Sequence, residues 1–498
     1  MNAANSTTAD VQLKLNDKSL FGNDAGEDEN IEVLASYFVN QDSFDDFLDD
    51  SVRLQVARGR KGMGKSALLS KFAYELSKTD SKPLIVQVVP SNLSGLQTPP
   101  ATQNHGILEN YWKQVICQSI NYEMAKAIGF AWKDDQITLV DGAEIAGFKG
   151  KNIIGALASR LLGKVNLFGS IEFKYGQSGI QNNEQLLKRI QEEGSDARQV
   201  WFLLDDIDSK FQNTPEQKAY ISSFFSACRT LIREIQGISI RATVRTDVWT
   251  SLRDAEDLDK FEQYVCDIDW NASQQKDILV KRIYAYVMRR HAKSYVAKNW
   301  TMDKHPDDII ELAFTRRMTW GNSGVPPVHV LRILAAGRPR WMAQLCKLAG
   351  LNATKKNKNR IGIGEINEAM DKFGVNRLSD LYKEHNHQFS DLQKLIESFS
   401  GGERRYSTDD LMKKIMGSFI KNRGAGGIAD VDGEPFRDSW QIAHFLFKCG
   451  FIVGHKSVGS PEFVTYAMRP DLLQVATNLD DGMIWEIQPS YRTVLKIK

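Results

Sequence analysis

Between Arg58 and Ala67 the chain reads Gly59-Arg60-Lys61-Gly62-Met63-Gly64-Lys65-Ser66. No other stretch narrows the fold so far. Glycines at three of these positions let successive backbone N–H groups curl around one point, where side chains would block the approach. A lysine and a hydroxyl follow, then SALLSKFAYELSK, in which Leu68, Leu69, Phe72 and Leu76 line one helical face. Ahead of the loop, SVRLQVARG alternates Val52, Leu54 and Val56 and predicts a strand. Strand, glycine loop and helix N-terminus together make a seat for a polyphosphate, with the positive end of the helix dipole at the same point. The pattern GxxxxGK followed by Ser or Thr is the Walker A motif. It expects Lys65 against the β- and γ-phosphates and Ser66 on Mg²⁺. ATP and Mg²⁺ are therefore the expected cofactors, with Gly59, Arg60, Lys61, Gly62, Met63, Gly64 and Ala67 completing the binding loop. The bland alternative is a glycine-rich turn beside a helix.

A second half is present. In VWFLLDDID an apolar run ends in Asp205 and Asp206, which a buried strand would carry to the carboxyl edge of a sheet. There Asp205 is expected to orient the Mg²⁺ shell and Asp206 to polarise the attacking water as general base, with Asp208 its rival. Further buried strands are predicted in PLIVQVVP, ISIRATVRTDVW and QYVCDIDW, and helices in ENYWKQVICQSINYEMAKAI, NEQLLKRIQEE and AYISSFFSACRTLIREIQG. Alternation of this kind predicts an α/β fold: a P-loop parallel sheet with helices on both faces. From Ser273 to Gly350 the pattern turns helical, as an α-helical lid would. The tail shows helical patterns and two β-like runs, FIVGHK and FVTYAM, in the outline of a winged-helix domain. The expected division is a flexible N-terminus over 1–18, a core over 19–270 with an insertion at about 130–185, a lid over 271–385 and the winged-helix-like domain over 386–498.

The 498 residues carry a net charge of +2, so no bulk charge demands a nucleic-acid or membrane partner. Five cysteines, Cys117, Cys228, Cys266, Cys346 and Cys449, are scattered with no CxxC pair. That excludes a disulfide framework or zinc ribbon and fits a reducing cytoplasm. No apolar run reaches the roughly 20 residues of a membrane span, and no signal peptide is visible.

The order of segments resembles the STAND/AAA+ division of P-loop ATPases, and in particular a bacterial family with GRKGxGKS, LLDDxD, RTD and GRPR in this order. LFGNDAGEDE resembles its lead-in, which implies that Phe21 and Gly22 seat adenine, although the usual arginine is missing. ATVRTD resembles a sensor element and implies that Arg245 reads the γ-phosphate. Gly337-Arg338-Pro339-Arg340 resembles a second sensor, implying a nucleotide contact by Pro339 and Arg340, with Arg338 the rival. Arg253 lies where an arginine finger for a neighbouring subunit often sits. The resemblance implies an ATP-hydrolysing switch that self-associates and acts through a protein partner or effector, in bacterial defence or stress signalling. Two alternatives stay open: a DNA-loading AAA+ ATPase of replication or transposition type, and a nucleotide-gated scaffold with little turnover. DNA binding by the tail is not favoured, since SWQIAHFLFKCG offers only Lys448 and His444 and the wing only Lys456 and His455, with Glu462.

Overall fold

The computed structural model describes residues 10–24, 26–90, 98–129, 183–193, 199–252, 258–422, 427–428, 430–455, 463–474 and 482–498. The expected insertion, apart from the helix starting at Asn183, lies outside these residues, as do Arg253, Lys456 and Glu462. Two compact units emerge. One comprises residues 40–60 and 65–268; the other joins residues 1–39, 61–64 and 269–498. The stretch 19–39, expected in the core, thus packs with the second unit.

The first unit is built on five parallel strands: β1 (Leu54–Arg58), β2 (Leu84–Val88), β3 (Val200–Leu204), β4 (Ile238–Val244) and β5 (Val265–Asp267), in spatial order β2-β3-β4-β1-β5. Helices of eight residues or more are numbered: α1 (Lys65–Ser77), α2 (His105–Gly129), α3 (Asn183–Glu193) and α4 (Pro215–Glu234). Every residue of β3 and β4 is buried; β3 reads as an unbroken apolar run, while β4 intersperses Ser239, Arg241 and Thr243 among its apolar residues. Strand alternation sorts them onto two faces. Val200, Phe202 and Leu204 join Ile238, Ile240 and Ala242 against Trp112 and Val115 of α2 and Phe224 and Leu231 of α4. On the opposite face Trp201 meets Phe72 of α1, with ring centroids 4.8 Å apart. Helices therefore cover both faces of the sheet.

Arg241 is a surprise in the middle of β4. Its side chain is fully buried, 4.7 Å over both Phe72 and Trp201. Burial pulls its pKa down to about 9. Its guanidinium survives burial by donating to the carbonyls of Phe47 (2.8 Å), Asp49 (2.8 Å) and Val52 (2.7 Å), which tie down the approach to β1.

The second unit contains α5 (Ala272–Arg290), α6 (Pro327–Leu334), α7 (Pro339–Lys355) and α8 (Ile363–His385), with a small hairpin of β6 (Met318–Trp320) and β7 (Ser323–Val325). An Asn271–Gln274 capping box starts α5. Between α6 and α7, Gly337 adopts φ 73° and Pro339 takes the first helical position, so GRPR is a turn followed by a helix start. Val11, Leu13, Leu15, Leu20 and Phe21 from the N-terminal segment complete this core. That segment crosses α7 so closely that a Cβ on Gly350 would collide with the Leu15 carbonyl.

The last part of the chain holds α9 (Thr408–Ile415), α10 (Ser439–Lys448) and an antiparallel sheet of β8 (Arg405–Tyr406), β9 (Ile452–His455) and β10 (Ile484–Ile487), in order β8-β10-β9. FIVGHK forms β9 as expected. FVTYAM makes only an isolated bridge, Val464 to Gly454, and the strand beside β9 is β10. A buried charge hides β10 in the sequence: Glu486 accepts from Arg405 Nε (3.2 Å) and lies against Arg404 Nε (2.9 Å), His455 Nε2 (2.8 Å) and Arg492. Burial would raise the Glu486 pKa; His455 and the three arginines overcome it and hold the carboxyl down at about 2.

Candidate nucleotide-binding site

In the sheet β4 lies between β3 and β1, and the pairing register sets Arg58 opposite Val244 and Leu204 opposite Ala242. The carboxyl ends of three adjacent parallel strands therefore open at one edge, where such sheets bind ligands. From β1 the chain enters the glycine loop. Gly59 N donates to Val244 O (3.2 Å), so the loop begins anchored to β4. Gly62 and Gly64 take φ of 80° and 107°, left-handed values that a side chain would strain. Lys65 opens α1, is 6% exposed, and donates from Nζ to Gly59 O at 3.0 Å. The predicted apolar face of α1, Leu68, Leu69, Phe72 and Leu76, is buried. That burial fixes the helix N-terminus at which the loop ends. Ser66 and Ala67 follow in its first turn, half-buried, as is Arg60.

At the end of β3, Asp205 accepts from the Thr243 hydroxyl at 2.6 Å, and Asp206 N donates to both Thr243 Oγ1 (2.9 Å) and Asp205 Oδ1 (3.1 Å). These bonds hold Asp206 at φ 51°, an uncommon conformation for a residue with a side chain and a mark of local strain. Asp208 is 1% exposed. Its Oδ2 accepts from Arg245 N at 2.6 Å and lies 3.4 Å from Arg245 Nε, while its Oδ1 has no hydrogen-bond partner among the described residues. Burial pushes the Asp208 carboxyl up to about 6, against the opposing pull of Arg245 and Lys65. Arg245 also donates from Nη2 to Asp247 at 2.9 Å. Lys65, Asp208 and Arg245 thus share one electrostatic neighbourhood. Thr243 and Asp247 were not singled out in the sequence. The signal for Thr243 was a hydroxyl in an otherwise apolar strand end; Asp247 closes the RTD triplet itself.

The crest of the loop, Lys61–Gly64, belongs with the second unit. Lys61 N donates to Glu384 Oε1 at 3.1 Å, and Arg338 Nη1 donates to both Glu384 oxygens (2.8 and 3.0 Å) and to Lys61 O (3.2 Å). Arg340 N donates to Gly62 O (3.2 Å), and Trp270 Nε1 to Met63 O (2.8 Å). Arg338 is therefore a buried clamp, stacked 4.1 Å over Trp341. Glu384, at the far end of α8, was likewise not singled out in the sequence. Phe21 is fully buried, 5.8 Å from the Phe314 ring, so its side chain is core. Gly22, at φ 75°, turns the chain under Tyr37.

For Mg²⁺, Ser66 and Asp205 offer hard oxygen donors. Among the described residues no group of three or more His, Cys, Asp or Glu could hold a metal ion. Mg²⁺ at a nucleotide takes one or two protein oxygens and completes its shell with phosphates and water. Bound there, the ion would neutralise phosphate charge. All five cysteines are free and buried. No described helix is long and apolar enough to cross a membrane.

No family model matches the chain. It is 23% identical over 482 residues to the 80.3 kDa transposon gamma-delta protein of Escherichia coli (strain K12), covering 93% of this chain and 65% of that protein. Among solved structures it is similar to the Aeropyrum pernix ORC2 protein at TM-score 0.39 and 11% identity, over 89% of this chain and 86% of that one. It is also similar to the Thermotoga maritima RuvB Holliday junction branch migration motor at 0.32 and 13%, over 98% and 99%. Likeness at this level says nothing of what this chain binds.

Proposed function

We propose that the chain is a Mg²⁺-dependent ATP-binding and ATP-hydrolysing switch of STAND/AAA+ type. The observation that carries this is the meeting, at one sheet edge, of the glycine loop with buried Lys65, the Asp205–Thr243 pair and the Asp208–Arg245 pair. Lys65 and the loop N–H groups answer the β/γ charge; Ser66 and Asp205 hold the ion; Asp206 polarises the attacking water; Arg245 reads the γ-phosphate. The grip of Arg338 and Glu384 on the loop crest gives nucleotide state a route into α7 and α8. Beyond α8, Gln388 bridges to Asp432 (2.7 Å) and Asp432 pairs with Lys448 of α10, a polar chain suited to passing that state to the C-terminal domain.

We read that C-terminal domain as winged-helix-like and as a communication module. Seven of the ten residues of α10 are buried and Lys448 is spent on Asp432, which leaves little basic surface on the helix that would read DNA. A defence or stress-signalling setting, a protein effector and ATP-dependent self-association follow from the motif resemblance. A second reading, a DNA-associated ATPase of a mobile element, draws on the transposon name of the Escherichia coli relative. Turnover of the full chain with Mg²⁺, with and without duplex DNA, separates them. DNA-independent hydrolysis supports the switch. Strong stimulation by DNA replaces it with the second reading, and stoichiometric ATP retention without hydrolysis replaces it with a scaffold. Sedimentation with a slowly hydrolysed ATP analogue tests self-association, and a monomer at micromolar protein overturns it.

A further inference from the structure

Helices α7 and α8 and the loop crest line an open cavity of about 250 Å³. Its wall carries four cations, Lys61, Arg340, Arg377 and Lys383, against one carboxylate, Asp380. Arg377 is the built element. It is 2% exposed, lies 4.3 Å over the Trp341 ring, and donates from Nη2 to Gln344 Oε1 (2.7 Å) with Asp380 at 3.0 Å. Its Nε and Nη1 have no hydrogen-bond acceptor among the described residues. Asp380 also faces Lys61 Nζ at 3.4 Å, so a single carboxylate serves two of the four cations. Burial draws the Arg377 pKa down to about 10, which leaves it charged at neutral pH. Two donors of a buried guanidinium left without an acceptor, with further cations beside it, are what an oxyanion answers. The volume falls below the 300 Å³ or so at which pockets begin to hold drug-sized ligands, so it suits a phosphate or diphosphate group rather than a whole nucleotide.

We propose that this cavity binds a phosphate-type oxyanion, free phosphate or pyrophosphate, at a site distinct from the N–H cradle of the glycine loop. Lys61 belongs to both, since its side chain lines the cavity while its backbone forms the loop crest. An anion in the cavity therefore bears on how the crest is held; this consequence, and not the site itself, rests on the nucleotide reading above.

The test is isothermal titration of pyrophosphate and, separately, orthophosphate into the full chain carrying Lys65→Ala, which disables the glycine loop. Saturable 1:1 binding is expected, weakening as salt rises. Lys383→Glu, on an exposed position of α8, is expected to weaken it by about 10-fold or more, the scale of losing one charge-assisted contact. Lys372→Glu, an exposed charge reversal on the same helix outside the cavity, should leave affinity unchanged, and circular dichroism confirms that both variants fold. The proposal is overturned if the Lys65→Ala chain binds neither anion at millimolar concentration, or if folded Lys383→Glu binds as tightly as its parent. Binding by the wild type that vanishes with Lys65→Ala assigns the anion to the glycine loop, which overturns the second site and leaves the nucleotide reading standing. Displacement of pyrophosphate by short duplex DNA assigns the cavity to a nucleic-acid backbone and also overturns the small-anion assignment. Should Lys65→Ala bind ATP normally, the nucleotide reading fails and the cavity result is unaffected.

Discussion

Asp208 sets the residue-scale chemistry. Its folded pKa of about 6 stands above the ordinary 3.8 because burial penalises the carboxylate more than Arg245 and Lys65 relieve it. The favourable side of this linkage is fully present below pH 3.8, where the group is protonated folded or unfolded, and is lost as pH rises through 6. At pH 8 the ionised group costs the fold on the order of 3 kcal/mol. Asp208→Asn should therefore stabilise the nucleotide-free protein at pH 8 and change little at pH 4, as read by urea unfolding at both; a pH-independent difference contradicts the linkage. Asp206→Asn should retain ATP and lose turnover by about 10²-fold or more, while Asp205→Asn should weaken the Mg²⁺ dependence. Normal turnover in Asp206→Asn with arrest in Asp208→Asn would move the base to Asp208, whose Oδ1 has no partner among the described residues. The glycine loop and the acidic strand end were legible in the sequence because their chemistry is local: spacing fixes them. Thr243, Glu384 and Arg377 were not, because each acquires its role from a partner far along the chain.

Among the elements, α8 shows the limit of periodicity. Ile366, Ala369, Met370, Phe373 and Leu381 are its buried apolar face, but Gly374 and Arg377 interrupt the stripe. Gly374 is there because the carbonyl of Ser490 would lie 2.9 Å from a Cβ. Arg377 is there because it stacks on Trp341, so tertiary demands erased the pattern that sequence reading relies on. Among the core strands only β4 carries such an interruption, Arg241, and all five strands stand within the segments that predicted them. β10 was lost for the same reason as α8, since Glu486 in its middle is buried among His455 and three arginines, Arg404, Arg405 and Arg492. Glu384 gives α8 its functional weight. Glu384→Gln removes the charge that answers buried Arg338, and should lower stability by about 3 kcal/mol. It should also speed hydrogen exchange in peptides spanning residues 59–66, because Lys61 N loses its carboxylate acceptor. Unchanged exchange there in a folded variant would show that the crest is held without Glu384.

At the scale of the whole molecule, the chain folds as two units, and the glycine loop is covalently part of both: Gly59, Arg60 and Lys65 in one, Lys61–Gly64 in the other. The proposed switch is a shift between states that a ligand on this loop binds unequally. Everything in that account depends on the loop holding a nucleotide. The direct measurement is equilibrium binding of ATP with Mg²⁺ to the full-length wild type and to Lys65→Ala. The wild type should bind saturably. The variant, folded by circular dichroism, should lose affinity by 100-fold or so, the scale of removing a charged phosphate contact from a buried site. Equal affinity in the two proteins, or no saturable binding by the wild type, would contradict it.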